Sequence, residues 1–483
     1  MAAVAMLAVG GSLSASAFPG ISASSTGTIL TPLTPFSPGP TTSPTGVVTT
    51  GSLVYVSDPA NNTIDVYSLG GTLSSSIVLT LCAQPSSLAI SPDGATLYAV
   101  CGPTNTVDSI DLAGPTETVF PVANQPRGIV LSPDGSFFYL LSNSDAQVHK
   151  YDASTPGAEI IASVTNGLYA TPFHIAVSSD GATVYVTYRD HSGPATSGGL
   201  RILRASDLFE TTHVDIASAQ GLALEANGDV VVGSDTGSSG PVVELSPAGA
   251  FTGRSTALAG YSRAEVLLTS PDGSTVYAYE AASGQLYAID LATFTAGALI
   301  GPIGNTAQMA VTPDGLHLYA AGGSLGSTHN VYPFAVARLT LTGPATIVAG
   351  TGPTTFDAQI ADGRTPVGDY SSGSVLFEIL DSSNAVVASA AGIPSSTTGD
   401  VSKSIDLSGL PAGSYSVRAT LDPIAGSVVV TASGFTISKA TALAATGTDT
   451  TLPMGVGIVM LLGGILMTAV SRRQIPSRRR HAA

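Results

Sequence analysis

Short apolar runs separated by polar turns dominate the chain from residue 45 to residue 343, and their order repeats. An apolar run such as Leu88-Ala89-Ile90 leads into a Ser-Pro-Asp-Gly turn. There the Pro presets φ near −65° and the Gly tolerates positive φ. A second extended run follows over 96–100, then an alternating third one, Thr106-Val107-Asp108-Ser109-Ile110-Asp111, then a weaker fourth over 116–122.

Each unit is anchored by the turn glycine with an aromatic residue four positions on. The anchor occurs as Ser91-Pro92-Asp93-Gly94 to Tyr98, Ser132-Pro133-Asp134-Gly135 to Tyr139, and Ser178-Ser179-Asp180-Gly181 to Tyr185. It recurs as Ser270-Pro271-Asp272-Gly273 to Tyr277 and Thr312-Pro313-Asp314-Gly315 to Tyr319. A degenerate copy has Asn227-Gly228 and Val232, and Tyr55, with Gly51 in the turn position, begins the series. Successive anchors are 43, 41, 46, 47, 45 and 42 residues apart, which makes seven units. Four short strands in forty-odd residues, repeated, are the pattern of a propeller blade. The expected fold is all-β, with a seven-bladed β-propeller over 45–343 and six or eight blades as alternatives. The first unit has only a degenerate innermost strand, at 45–48, and the seventh a weak outermost one, at 345–348, so closure can draw a strand from either flank.

The repeat resembles the YVTN family of β-propellers, whose blades read roughly PxxIAVSPDGxxxYVxN and then TVxVID. Residues 85–101, 126–143 and 172–187 match it, and Tyr55-Val56-Ser57-Asp58 and Tyr185-Val186-Thr187-Tyr188 stand in for the naming tetrapeptide. The third strand of the fourth unit, 200–205, and the turn of the fifth depart from it. The resemblance implies the fold. Members range over surface-layer proteins, lactonase-like enzymes and binding proteins, so function has to be argued from the site.

Residues 1–17 are apolar and small and end in Ala15-Ser16-Ala17, the pattern of a signal peptide and its cleavage site. No basic segment precedes the apolar run, so translation is expected to start upstream of Met1. Residues 18–44 are Pro/Thr/Ser-rich, as in Thr31-Pro32-Leu33-Thr34-Pro35, which predicts an extended, solvated linker. After Gly343 a second β pattern fills 344–438, including Val375-Leu376-Phe377-Glu378-Ile379-Leu380. Within it Leu410-Pro411-Ala412-Gly413-Ser414-Tyr415-Ser416-Val417-Arg418-Ala419-Thr420 resembles the closing hairpin of bacterial Ig-like repeats. Roughly 95 residues suit one β-sandwich, which would serve as a stalk.

Residues 439–483 combine a pentapeptide, Leu443, Ala444, Ala445, Thr446 and Gly447, with an uncharged run over 452–470 and a basic tail over 471–483. This order resembles an LPXTG-like cell-wall sorting signal in the LAxTG form of high-GC actinobacteria. The resemblance implies that a sortase cuts between Thr446 and Gly447 and joins the Thr carboxyl to an amine of the peptidoglycan. About nineteen residues at 1.5 Å rise match a hydrocarbon core of roughly 30 Å, giving a transient transmembrane helix. The five arginines between Arg472 and Arg480 hold the tail in the cytoplasm. A plain C-terminal membrane anchor is the alternative.

Charged residues are only 10%, Trp is absent, and Gly (54) and Pro (31) are plentiful, as suits a turn-rich extracellular β protein. Removing the segment from Gly447 onward, five Arg and one Asp, takes the net charge from −16 to −20. Such a surface repels phosphate backbones, so no nucleic-acid partner is expected. Cys82 and Cys101 lie near one end of adjacent strands of the repeat. Export permits a disulfide between them, with two buried thiols as the alternative.

Counting back from each anchor aromatic gives the residues that enter the central channel: Ser86/Ser87, Arg127/Gly128, Phe173/His174, Gln220/Gly221, Glu265/Val266 and Ala307/Gln308. Arg127, His174 and Glu265 can converge there as a channel-mouth ligand site. His titrates near neutrality and Arg stabilises developing negative charge, so the trio also suits lactone opening or a lyase step. Against catalysis, propeller channels are lined with hydrated polar groups as a rule, and no nucleophile–base pair, paired carboxylates or oxygen-rich metal loop is present in the sequence. No cofactor or metal is expected, and His149, His191, His213, His317 and His329 lie singly, as surface or strand residues. The loop from Arg189 to Gly199 is the largest insertion on the ligand face. The favoured reading is a secreted, wall-anchored surface protein whose propeller binds a glycan or protein ligand. The alternative is a tethered lactonase-like hydrolase or lyase.

Overall fold

The computed structural model describes residues 20–438 apart from 25–28, 40–42, 124, 158, 163–169, 191–197, 238–240, 259–261, 298–300, 324–329, 351, 363, 365–373 and 423–427. The signal peptide, the sorting pentapeptide and the run over 452–470 lie outside the described residues. Every extended regular element among the described residues is a β-strand.

Pro85–Ile90, Thr96–Cys101, Thr106–Asp111 and Glu117–Pro121 form one antiparallel four-stranded sheet, paired in chain order. The turn between the first two explains the repeat. Ser91 Oγ donates to Asp93 Oδ1 at 2.5 Å, and the same carboxylate oxygen accepts from Ala95 N at 3.0 Å. Gly94 carries φ of +71°, a conformation that side-chain-bearing residues reach only with strain. Ser132 with Asp134, Ser178 with Asp180, Ser270 with Asp272 and Thr312 with Asp314 repeat the hydroxyl–carboxylate bond, each at 2.5 Å. The sheets that follow these turns have the same order of pairing.

The anchor tyrosine closes the seam to the next unit. Tyr185, 2% exposed, donates to Pro247 O at 3.1 Å, and Tyr319, fully buried, donates to Leu69 O at 2.8 Å. Each described apolar cluster in this region spans two neighbouring sheets. One joins Tyr98, Val100 and Phe120 to Phe138, Leu140 and Tyr151. Another joins Val47, Val54 and Val56 of the first unit to Tyr319, Ala321 and Val331 of the last. Innermost strands touch in succession, and Asn305–Val311 returns to Val47–Thr49, which in turn touches Pro85–Ile90. The repeated units therefore bury their faces against one another, as β-propeller sheets do.

The last unit takes its outer strand from the other end of the chain. Ile29–Pro32 pairs antiparallel with 334–337, so the expected outer strand at 345–348 is not used there. Directly after Pro32, Leu33 N donates to Pro333 O, and Phe36 packs on Tyr67 with ring centroids 4.5 Å apart. The solvated linker expected over 18–44 is thus corrected over much of its length. Composition hid isolated apolar residues such as Leu30, 8% exposed, between the prolines and threonines.

The strand Asn330–Pro344 is 15 residues long and belongs to two cores. Phe334 and Val336 pack with Tyr277, Leu286 and Leu318, whereas Leu339 and Leu341 pack with Phe356, Phe377 and Phe435. Past Ala337 the strand pairs with Thr354–Ala361 and with Gly20–Ser24, so the expected boundary at 343/344 falls inside a continuous element. One sheet of this second region contains Gly20–Ser24, 338–344, Thr354–Ala361 and Asp400–Ile405. The facing sheet runs Thr346–Val348, Val428–Ser438, Gly413–Asp422, Ser374–Leu380, Val386–Gly392. A single apolar cluster lies between them, which makes this part a β-sandwich.

Candidate functional site

The innermost strands of units two to seven share an irregularity. Pairing shifts register between Pro85 and Leu88, Pro126 and Gly128, Pro172 and Ile175, Ala219 and Leu222, Ala264 and Val266, and Thr306 and Gln308. These bulges fall on the residue pairs that the repeat sends into the channel. A bulge adds a residue and re-aims its side chain, a common device at barrel rims and binding sites.

The inward residues divide into two kinds. Some clamp seams: Gln308 accepts from Val47 N and Leu88 N at 3.3 and 3.2 Å and donates to Leu88 O at 2.8 Å, tying the last unit to the first two. Gly46 lies at this seam, where a Cβ would come within 2.0 Å of Ser86 O. His174 is a second clamp. Its Nδ1 lies 3.0 Å from Gln220 O in the next unit, and Thr187 Oγ1 donates to the same carbonyl at 2.5 Å. A carbonyl only accepts, so Nδ1 carries the proton and Nε2 presents a lone pair. Burial, reinforced by the Arg127 charge and opposed by the bond to Gln220, pushes the His174 pKa down to about 4, so the ring is neutral at pH 7.

Arg127 belongs to the second kind. Its guanidinium carbon lies 5.2 Å from the centre of the Phe173 ring, the cation–π arrangement. The side chain reaches solvent yet is crowded by protein, and that desolvation lowers its pKa while Glu265 pulls the other way. Arg127 therefore acts electrostatically on both His174 and Glu265. Glu265 itself is held by Arg263, whose Nη2 lies 3.1 Å from Oε1. Arg263 was not among the expected channel residues. It sits on a strand extension where Ser262–Thr269 pairs with Val230–Gly237 of the preceding unit, opposite Asp235, which the periodicity did not indicate.

The carboxylates of the turns have local jobs. Asp93, Asp134 and Asp180 are held below the usual range first by the neighbouring serine hydroxyl. Cys82 and Cys101 form a disulfide with Cα atoms 5.3 Å apart, and with Asp108 they make a group of potential metal-ligand atoms within 4.8 Å of one another. The sulfurs are bonded to each other and are not ligands in this state. His149 lies on the strand Val148–Asp152, 4% exposed, with Nδ1 and Nε2 at 3.0 and 3.1 Å from Glu159 and Asp145. His213 contacts Tyr188, Glu210 and Asp215, and His317 stacks on Tyr319. His191, His329 and most of the loop from Arg189 to Gly199 lie outside the described residues.

With this geometry in hand, the likeness to solved structures is one of fold. The chain is similar to the hydrazine synthase of Kuenenia stuttgartiensis, with a TM-score of 0.50 and 16% identity over 60% of this chain and 95% of that one. It is similar to the Cps50 (Swd1) β-propeller domain of Myceliophteria thermophila, with a TM-score of 0.50 and 15% identity over 64% and 99%. No family model and no curated protein matches the chain. The class defined by repeat, sheets and neighbours is a protein with a β-propeller domain.

Proposed function

We propose that this chain is a cell-wall-anchored surface protein, in which a closed seven-bladed propeller serves as a binding module on an Ig-like stalk. Sortase joins it at Thr446 to the peptidoglycan, and the propeller meets a glycan or protein on another surface. The observation that carries the reading of head and stalk as one display unit is the strand Asn330–Pro344, shared without a break between the last propeller sheet and the sandwich. A flexible linker would leave the head free to swivel; a common strand does not. The return of Asn305–Val311 to Val47–Thr49 supports seven blades and closure.

Binding is favoured over turnover by His174. A base with a pKa near 4, its other nitrogen committed to a main-chain carbonyl, has little driving force to take a proton at neutral pH. The chain is therefore read as a binding protein and not as an enzyme.

The test is a fractionation of cells making wild-type and Thr446→Ala protein. The wild type should resist detergent and be released by a peptidoglycan hydrolase, while the variant should be extracted by detergent with its basic tail. A wild-type protein that detergent extracts with Arg480 still attached contradicts the reading.

A further inference from the structure

The mouth of the channel holds hydrogen-bonding capacity that the protein does not use. Among the described residues no hydrogen bond or ion pair within 4.0 Å is made by the Arg127 guanidinium, although burial already disfavours its charge. Phe173, its ring centre 5.2 Å from the guanidinium carbon, offers it a ring face but no oxygen acceptor. Glu265, the carboxylate that attracts it, is engaged at 3.1 Å by Arg263. Asp58 and Glu280, at the ends of second strands on the same face, are 1% and 0% exposed. Asp58 accepts from Ala60 N and Asn61 N, and Glu280 from Arg263 N, Ala282 N and Ser283 N. With His174 neutral, Arg127 is the guanidinium at the mouth whose N–H groups hold no protein acceptor among the described residues, whereas Arg263 is engaged with Glu265.

A second group at the same level is also unsatisfied. Gln220 occupies the channel position between Phe173 and Glu265 in the repeat and is 1% exposed, and its amide oxygen and nitrogen are both buried with no hydrogen-bond partner among the described residues. Buried polar atoms are nearly always paired, and an unpaired pair of them in a native fold calls for water or a ligand. His174 Nε2 adds a fixed acceptor, since Nδ1 carries the ring proton.

We propose that the channel mouth binds a small carboxylate whose two oxygens meet the Arg127 guanidinium and whose neighbouring carbon carries a hydroxyl or N–H that donates to Nε2 of His174. This rests on the reading of the propeller as a binding module, and it names the ligand class. The guanidinium fork meets a carboxylate with two parallel charge-assisted bonds, which a neutral amide cannot match. A free hydroxy acid and the C-terminus of an acylated peptide share this chemistry.

The test uses the full purified chain and four probes in a titration followed by ligand-observed NMR or calorimetry: lactate, N-acetylalanine, propionate and lactamide. Propionate lacks the donor and lactamide lacks the charge. Lactate or N-acetylalanine should saturate, with whichever binds tighter identifying the source, propionate should bind at least ~10-fold more weakly, and lactamide should not saturate. Arg127→Gln should abolish binding. His174→Asn keeps a donor for the Gln220 carbonyl but removes the Nε2 acceptor, so it should bring lactate down to the level of propionate while the melting temperature stays near that of the wild type. Equal binding of lactate, propionate and lactamide, no saturable binding of any probe to a folded chain, or unchanged binding in Arg127→Gln overturns the proposal. A chain that stays at the envelope but binds no probe overturns this inference alone. One that binds lactate but is extracted from cells by detergent overturns the wall-display reading alone.

Discussion

Nδ1 of His174 lies 3.0 Å from the main-chain oxygen of Gln220, one unit further round the propeller. One bond thus sets the tautomer and clamps a seam, while burial, against the pull of that bond, keeps the imidazole neutral at pH 7. The consequence for stability has a definite sign. The folded pKa of about 4 lies below the ordinary value of 6.5, so between those values the unfolded chain binds more protons than the folded one. The contribution is complete above pH 6.5 and is lost as the pH falls toward 4. In urea unfolding, His174→Asn should flatten that part of the wild-type profile. At pH 7, His174→Ala, which deletes the clamp, should cost ~1 kcal/mol. Equal pH slopes for wild type and Asn variant would count against the assignment.

Asp108 should show the opposite slope. It is fully buried, and burial, followed by the hydrogen bond and charge of the adjoining Glu117, raises its pKa to about 8. Glu117 is already engaged by Thr80 N, Thr80 Oγ1 and Leu81 N. The folded chain therefore holds a proton that the unfolded chain releases above pH 4, and stability drains away as pH rises from 4 to 8. Asp108→Asn should be more stable than wild type by on the order of 1 kcal/mol at pH 8, with the gain vanishing near pH 4. A variant destabilised at pH 8 would show that Asp108 is charged in the fold.

The disulfide Cys82–Cys101 closes a loop of sequence separation 19. Cross-links over loops of that size are worth ~3 kcal/mol. Replacing both cysteines by Ala should lower the denaturant midpoint accordingly, and an unchanged midpoint would mean that the cross-link adds nothing beyond the surrounding core of Leu88, Leu97 and Ile110.

Deleting residues 18–36 should open the last propeller sheet, because it removes Ile29–Pro32 and the Phe36 contact with Tyr67. Exposed strand edges template aggregation, so the shortened chain should melt without cooperativity and self-associate on a sizing column. A monomeric variant with the wild-type melting curve would mean that the sheet does not need its borrowed strand.

What could be read from residues alone was whatever depends on local chemistry. The Asp-Gly turn is legible because Gly94 needs φ of +71° and Asp93 bonds to atoms within two residues of itself. Tyr98, Tyr139 and Tyr185 are legible because they sit at a fixed distance from that turn. From the same register come Arg127, His174 and Glu265, and the charge of Arg127 interacts with both of the others. The strand Ile29–Pro32 was not legible, since four residues ending in proline carry no periodicity, and its stability comes from a partner about 300 residues away. Arg263 was hidden for a similar reason: a cross-sheet extension opposite Asp235 places it at the mouth. The carboxyl of Asp108 looked like one polar position of an alternating strand, and only its burial against Glu117 sets it apart.

The most direct test of wall display is the C-terminal residue of the envelope-bound protein, read by mass spectrometry after peptidoglycan digestion. A C-terminal peptide ending at Thr446 and carrying a peptidoglycan-derived amine is the predicted result. An envelope form that retains Gly447 through Arg480 would contradict it.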